Sequence, residues 1–342
     1  MRSNRPVQTG RDDKGAIRSI HPTRPSLKIK ILLEIKIMKD RDYFINSLQN
    51  SEASDATKKT YAYNLAWLAK RMPEFDTGTP TPDEVLGYMA DNKVKNTRRM
   101  HSYTCMKVLH RCKGETTECC AYDTPLKDCK QCVDEEYSKQ RRTVHQNKNW
   151  VDYACLKKFA QTLRTEAYEL DKNGPWTKDQ YQRLQLAFVL QVHMTFPLRR
   201  DLAGLQWNVE PSDDLNYIQD RNMVWNQFKT AKHLGRITQP MSREMWKLFS
   251  LIRKQQRLRG ICCGPVLLNR HWKPLSKNSY TGMMIREMKK CPGCEDKCIS
   301  VSLLRHCVIS HKTKSNASLE ERNSFARNCM HSSARNELYR VY

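Results

Sequence analysis

In one segment of this chain the interval between apolar residues changes, and that change most limits the folds it can adopt. Over most of the sequence apolar residues recur every three or four positions, as in the series Thr57, Tyr61, Leu65, Leu68 and Met72. That interval places side chains on one face of a helix. Between residues 216 and 238 the pattern alternates instead, which is typical of short strands joined by turns. The sequence therefore predicts a mainly α fold with a small antiparallel β-sheet.

Four segments differ in composition and predict the domain organisation. Residues 1–40 carry scattered charge, proline and glycine, and predict a basic, disordered arm. Residues 41–111 carry helical patterns and predict a helical domain. Residues 112–145 hold five cysteines among polar residues, which indicates an insertion or linker. Residues 146–342 include the apolar run Leu184–Met194 and the alternating segment, and predict an α+β domain.

The charge balance indicates the kind of partner. The chain has 60 lysines and arginines against 36 acidic residues, a net charge of +24, so a polyanion such as nucleic acid is the expected partner. No apolar run approaches the roughly 18 residues of a membrane span, so no membrane partner is predicted. The first residues lack the apolar segment of a secretory signal, and an intracellular protein, in the nucleus or wherever its DNA lies, is expected. Its 14 cysteines are then predicted to be free thiols or metal ligands.

Four separated segments carry residues suited to phosphodiester chemistry. They are Thr195–Leu205, with two adjacent arginines after a core helix; Phe228–Gly235, a lysine-containing turn between strands; Val301–Ser310, with Leu-Leu-Arg-His; and Met330–Tyr339, which begins Met-His-Ser and ends in tyrosine. In this order they resemble the active-site motifs of the tyrosine recombinases, the family of the phage integrases. The resemblance covers residues from about 41 onward and is strongest after 145. It is most similar to members from large eukaryotic DNA viruses and Crypton-like mobile elements.

The resemblance implies a role for each matching residue. Tyr339 is the expected nucleophile, and Arg199 and Arg305 would hold the non-bridging phosphate oxygens as negative charge grows on them. Lys229 would protonate the departing 5′-oxygen, and His331 would bond the phosphate or help to deprotonate the tyrosine. The phosphotyrosine conserves the energy of the broken bond, so no cofactor is expected in catalysis.

Neighbouring residues leave alternatives open. Lys232 is a substitute for Lys229, and Arg200 is a substitute or helper for Arg199. Ser302 stands where many relatives carry histidine. Tyr339 follows His331 by eight residues, where nine is commoner in the family, so a kink is expected between them. Tyr342, three residues further on, is the alternative nucleophile.

The family resemblance also implies an assembly. A helical domain and a catalytic domain would close as a C-shaped clamp around double-stranded DNA, and four protomers would act together as a tetramer on two duplexes. Site-specific cleavage, exchange and rejoining of strands is the function this predicts. A non-catalytic DNA-binding descendant is one alternative. An enzyme resembling a type IB topoisomerase or a telomere resolvase is the other.

The cysteines suggest a second feature. Cys291 and Cys294 enclose Pro-Gly, and Cys298 follows, a spacing typical of a zinc-binding turn. The sequence predicts structural zinc here, with free thiols as the alternative. A pair at Cys129 and Cys132 is a weaker candidate of the same kind.

Overall fold

The computed structural model describes residues 41–171, 175–313, 318–332, 336–337 and 339–341. The predicted basic arm at 1–40 therefore lies outside the described residues, as does Tyr342. The chain divides into two compact units, Met1–Asp134 and Glu135–Tyr342. The sequence placed this division across 112–145, and the observed boundary falls inside that segment.

Unit 1 consists of helices within the described range. Their bounds are α1 Arg41–Ser47, α2 Asp55–Ala69, a 3₁₀ turn Pro73–Asp76, α3 Pro82–Asp91, α4 Asn96–Lys113 and α5 Thr116–Ala121; α6 Asp123–Ser138 contains the boundary. Capping side chains fix where they begin. Ser54 accepts from the Thr57 amide before α2, and Thr81 and Glu84 form a reciprocal capping box at α3.

The segment predicted as an insertion or linker is helical. α5, α6 and the short α7 Val144–Asn149 occupy most of 112–145. Tyr122 and Cys129, seven residues apart and so on one helical face, are buried in the core of unit 1. The polar residues around these cysteines obscured that apolar face in the sequence.

The basic face of α4 is largely engaged within unit 1. Arg98 stacks on Trp67 with its guanidinium carbon 4.0 Å from the ring centroid. Arg99 donates to the carbonyls of Val94 and Met89, at 2.6 and 2.8 Å. These two arginines brace the unit.

Unit 2 combines helices with one sheet. The remaining helices are α8 Tyr153–Leu170, α9 Lys178–Thr195, α10 Ala231–Leu234, α11 Arg243–Arg257, α12 Lys277–Met288, α13 Val301–Lys312 and α14 Leu319–Asn328, and Arg200–Gly204 is a 3₁₀ turn. The strands are β1 Leu205–Trp207, β2 Asn216–Gln219, β3 Asn222–Trp225, β4 Ile237–Pro240 and β5 Gly264–Pro265. The mainly α fold with a small sheet is therefore confirmed.

The sheet differs from its prediction in one respect. Its strand order is β4-β3-β2-β1-β5, and β1 pairs with β2 in parallel while the other pairs are antiparallel. The sheet is thus mixed and five-stranded. The three predicted strands correspond to β2, β3 and β4; β1 and β5 have three and two residues, too few for alternation to be visible.

Helix α9 is the centre of unit 2. It packs against α8, α11, α12 and α13, which explains why Leu184–Met194 is mostly apolar and almost entirely buried. It ends at Thr195, and Phe196 and Leu198 are buried immediately after it. The rigid end of a buried helix thereby positions Arg199. None of the described helices is both long and apolar enough to cross a bilayer.

Candidate active site

Arg305 is the most buried of the predicted catalytic residues. It lies on α13, which begins where Ser300 accepts from the Leu303 amide, and it is 1% exposed. Its Nη2 lies 2.8 Å from Nε2 of His331 and donates to the Cys329 carbonyl at 3.4 Å. Its Nε and Nη1 have no hydrogen-bond partner among the described residues. Burial lowers the pKa of Arg305 to about 10, which leaves it a cation at neutral pH.

Two unpartnered donors on a buried cation are unusual. A buried polar group without a partner costs stability, and a charged one costs more. An anion that accepts from both nitrogens would remove that cost. The geometry of Arg305 is therefore that of an anion receptor.

Tyr339 lies beside this guanidinium. The Arg305 Cζ is 4.9 Å from the Tyr339 ring centroid, and the His331 ring centroid is also 4.9 Å away. The Tyr339 carbonyl accepts from Nδ1 of His306 at 2.8 Å and from the Ser310 hydroxyl at 3.5 Å, both on α13. The eight-residue interval thus still brings the rings of His331 and Tyr339 together. The predicted kink between them falls partly on residues outside the described ranges.

A cavity of about 380 Å³ contains most of the predicted residues. It is lined by Arg199, Arg200, Thr281, Ser300, Val301, Ser302, Arg305 and Tyr339. Its lining combines three arginines with hydroxyl groups and has no carboxylate, so it suits an anion. His331 adjoins this cavity through its contacts with Arg305 and Tyr339.

The two adjacent arginines differ in environment. Arg199 is partly buried, and Arg200 is exposed and donates to the Asn278 side chain at 2.9 Å. Asp201, buried behind them, lies 3.4 Å from the Lys277 ammonium group. Both arginines line the cavity, but only Arg200 is bonded to a side chain of α12.

Lys229 and Lys232 are exposed on the loop between β3 and β4 and do not line the cavity. The loop is nevertheless tied to the segment that carries His331, because the Thr230 hydroxyl donates to the Met330 carbonyl at 2.9 Å. In the adjoining strand β4, Gln239 donates to the Asn328 carbonyl at 2.8 Å. The loop is therefore anchored near the site through Thr230, while its two lysines are exposed.

Sequence reasoning missed His193. It is fully buried on α9, and its Nε2 lies 2.8 Å from the Tyr280 hydroxyl. Burial, followed by the nearby charge of Arg305, lowers its pKa to about 3. A histidine inside the apolar run Leu184–Met194 was the one signal that could have indicated a buried polar contact behind the site.

His193 predicts an acid sensitivity of folding. Unfolded histidine titrates near 6.5 and the folded side chain near 3, so below 6.5 the unfolded state binds the extra proton and stability falls as the pH falls. We expect wild-type protein to lose about 2 kcal/mol more than His193→Gln between pH 7.5 and pH 5. Denaturant unfolding at both values measures this. His271→Gln, at an exposed histidine, should behave as wild type; an unchanged pH dependence in His193→Gln would contradict the assignment.

Of the three cysteines predicted to bind zinc, two lie together in the structure and the third does not. The Sγ atoms of Cys291 and Cys294 lie close together, and the third thiol within 4.8 Å of both belongs to Cys155 on α8. Cys298 is exposed and is not in this group. A pattern local in sequence could not indicate a cysteine 136 residues away. At the weaker candidate pair, Cys129 is buried and Cys132 is exposed.

No protein-family model matches this sequence, and no curated protein matches it. Solved structures do. The structure of XerA recombinase covers 87% of this chain and 92% of its own at 12% identity, with a TM-score of 0.39. The Tn1549 transposon integrase in complex with circular intermediate DNA covers 90% of this chain and 95% of its own, also at 12% identity, with a TM-score of 0.52. The second likeness establishes the fold: this chain has the fold of the tyrosine recombinases and integrases.

Proposed function

We propose that this protein cleaves and rejoins double-stranded DNA through a 3′-phosphotyrosine on Tyr339, as a site-specific recombinase or integrase. The observation that carries the proposal is the pairing of Arg305 and Tyr339. A buried guanidinium with two unpartnered nitrogens adjoins a tyrosine ring in a cavity that suits an anion. A phosphodiester placed there would meet a nucleophile and a cation together.

The chemistry follows from that placement. The Tyr339 Oη forms a bond to phosphorus, the bond to the 5′-oxygen breaks, and a 5′-hydroxyl strand leaves. Negative charge on the non-bridging oxygens peaks in the five-coordinate transition state, where the guanidiniums of Arg305 and Arg199 stabilise it. Attack by the 5′-hydroxyl of a strand on the phosphotyrosine reverses the same steps. No external energy source enters this balance, because a phosphoester bond is exchanged for another.

Two proton transfers accompany these steps. The tyrosine proton must leave, and His331, whose ring is 4.9 Å from that of Tyr339 by centroids, is the group placed to help. The departing 5′-oxygen must gain a proton. We assign that role to Lys229, with Lys232 as the substitute, since both lie on the loop anchored through Thr230.

Duplex DNA is the substrate that the bulk charge supports. The net charge of +24 suits a polyanion. The Tn1549 integrase, which has a similar fold, was solved in complex with DNA. Recombination between two duplexes needs four strand cleavages, so a tetramer on DNA belongs to the proposal. The closing of two units as a clamp, and the relation to viral or Crypton-like elements, stay predictions.

A covalent-capture experiment tests the function. Random duplex fragments carrying single nicks release a short strand after cleavage, so the enzyme stays attached to the 3′-phosphate. We expect a denaturation-resistant protein–DNA adduct, enriched on a limited set of sequences and mapped by peptide mass spectrometry to Tyr339. Fragments that are bound without any adduct would favour the non-catalytic alternative. Adducts and plasmid relaxation without sequence preference would favour the topoisomerase-like alternative.

A further inference from the structure

Three thiols converge where the first turn of α8 meets the loop between α12 and α13. Cys155, Cys291 and Cys294 have their Sγ atoms within 4.8 Å of one another, and those of Cys155 and Cys291 are 3.7 Å apart. A tetrahedral zinc ion with zinc–sulfur bonds of about 2.3 Å places its sulfurs about 3.8 Å apart. A disulfide requires about 2.05 Å, so this spacing matches shared coordination and not a covalent bridge.

The surrounding chain holds the three thiols in place without a metal. Cys155 lies in the first turn of α8, and Cys291 and Cys294 lie in the loop after α12, where Gly293 has a φ of 78°. Lys297 donates from Nζ to the Trp150 carbonyl at 2.6 Å, and the Cys298 amide donates to the Asn149 side chain at 2.6 Å. These two hydrogen bonds join the part of the loop near Cys298 to the segment before α8. The part of the loop that carries Cys291 and Cys294 contacts α8 at Cys155.

We propose that Cys155, Cys291 and Cys294 bind a structural zinc ion that joins the start of α8 to the loop before α13. Thiolate sulfur is a soft ligand that favours zinc over the hard ions magnesium and calcium. Cys291 and Cys294 are buried, and Cys155 is partly exposed, which leaves a path for the metal.

The site has a consequence for the loop that leads into α13. Cys294 is six residues before Ser300, whose hydroxyl caps α13, and Arg305 follows in the second turn. A zinc ion anchored on α8 fixes the path of that loop. The metal therefore braces the helix that carries Arg305 and takes no part in bond breaking, and the site stands whether or not the chain cleaves DNA.

Metal content of the full-length protein tests this inference. We expect about one equivalent of zinc by elemental analysis, and less than about a tenth in Cys155→Ser and Cys294→Ser. Cys262→Ser removes an exposed thiol of the same unit and should keep the zinc. Cobalt(II) exchanged into the chelator-treated wild-type protein should give thiolate charge-transfer absorption and a tetrahedral spectrum, and removal of metal should lower Tm reversibly. The cobalt and chelation measurements use unmutated protein, so poor folding of a variant does not decide the outcome.

Three results would overturn it. The first is wild-type protein without zinc that also fails to take up cobalt after reduction. The second is a Cys155–Cys291 disulfide found by mass spectrometry of the protein purified under reducing conditions. The third is full zinc in Cys155→Ser together with its loss in Cys298→Ser, which would restore the ligand set suggested by sequence spacing.

Discussion

Arg305→Ala should reduce strand cleavage by about a thousandfold or more, while affinity for duplex DNA changes by less than about tenfold. For DNA binding, Arg305 is one of many cationic side chains, so its loss costs little affinity. For cleavage, it is one of the two arginines proposed to stabilise the negative charge that develops on the phosphate in the transition state. Its Nε and Nη1 are unpartnered within the described residues, and its cation lies 4.9 Å from the Tyr339 ring. Single-turnover cleavage of a nicked duplex, with binding measured separately, separates the two effects.

The comparison needs three further variants. Arg199→Ala should resemble Arg305→Ala, and Arg200→Ala should be milder because its guanidinium is exposed and bonded to Asn278. Arg270→Ala removes an exposed arginine that pairs with Asp179, away from the cavity, and should cleave as wild type. Circular dichroism confirms that each variant folds. If Arg200→Ala abolished cleavage and Arg199→Ala did not, the arginine motif would be shifted by one residue.

The fold class was predictable because the determining patterns are local. The interval of apolar residues separates helix from strand, and capping residues such as Thr81 mark where helices begin. The three longer strands were visible for the same reason. Strands β1 and β5 were not, because pairs and triplets of residues become strands only through the neighbours they bond to.

The arrangement of the candidate site was predictable only in part. Arg199, Arg305 and Tyr339 line one cavity, and His331 contacts two of them. Lys229 and Lys232, predicted from the same order of segments, do not line it. The residues that sequence reasoning missed act through contacts between distant segments. Cys155 meets Cys291 across 136 residues, and His193 meets Tyr280 across 87. Such pairs have no local pattern, so only the folded chain reveals them.

Tyr339→Phe should abolish the covalent adduct altogether, an effect larger than about a thousandfold, because no other atom of that side chain can attack phosphorus. The substitution removes only the hydroxyl. The ring that contacts His306 and His331 remains, as does the backbone carbonyl that His306 and Ser310 hold. Folding and DNA affinity should therefore be unchanged, and loss of the adduct reports chemistry alone.

Tyr342→Phe is the matched control, since it removes a phenol three residues away and should leave the adduct intact. We favour Tyr339 as the nucleophile because of the contacts that hold it. A phenol with a pKa near 10 attacks at neutral pH only when it is aimed and assisted. Two hydrogen bonds from α13 hold the Tyr339 carbonyl, and the cation of Arg305 lies beside its ring. An adduct lost only in Tyr342→Phe would transfer the nucleophile to that residue.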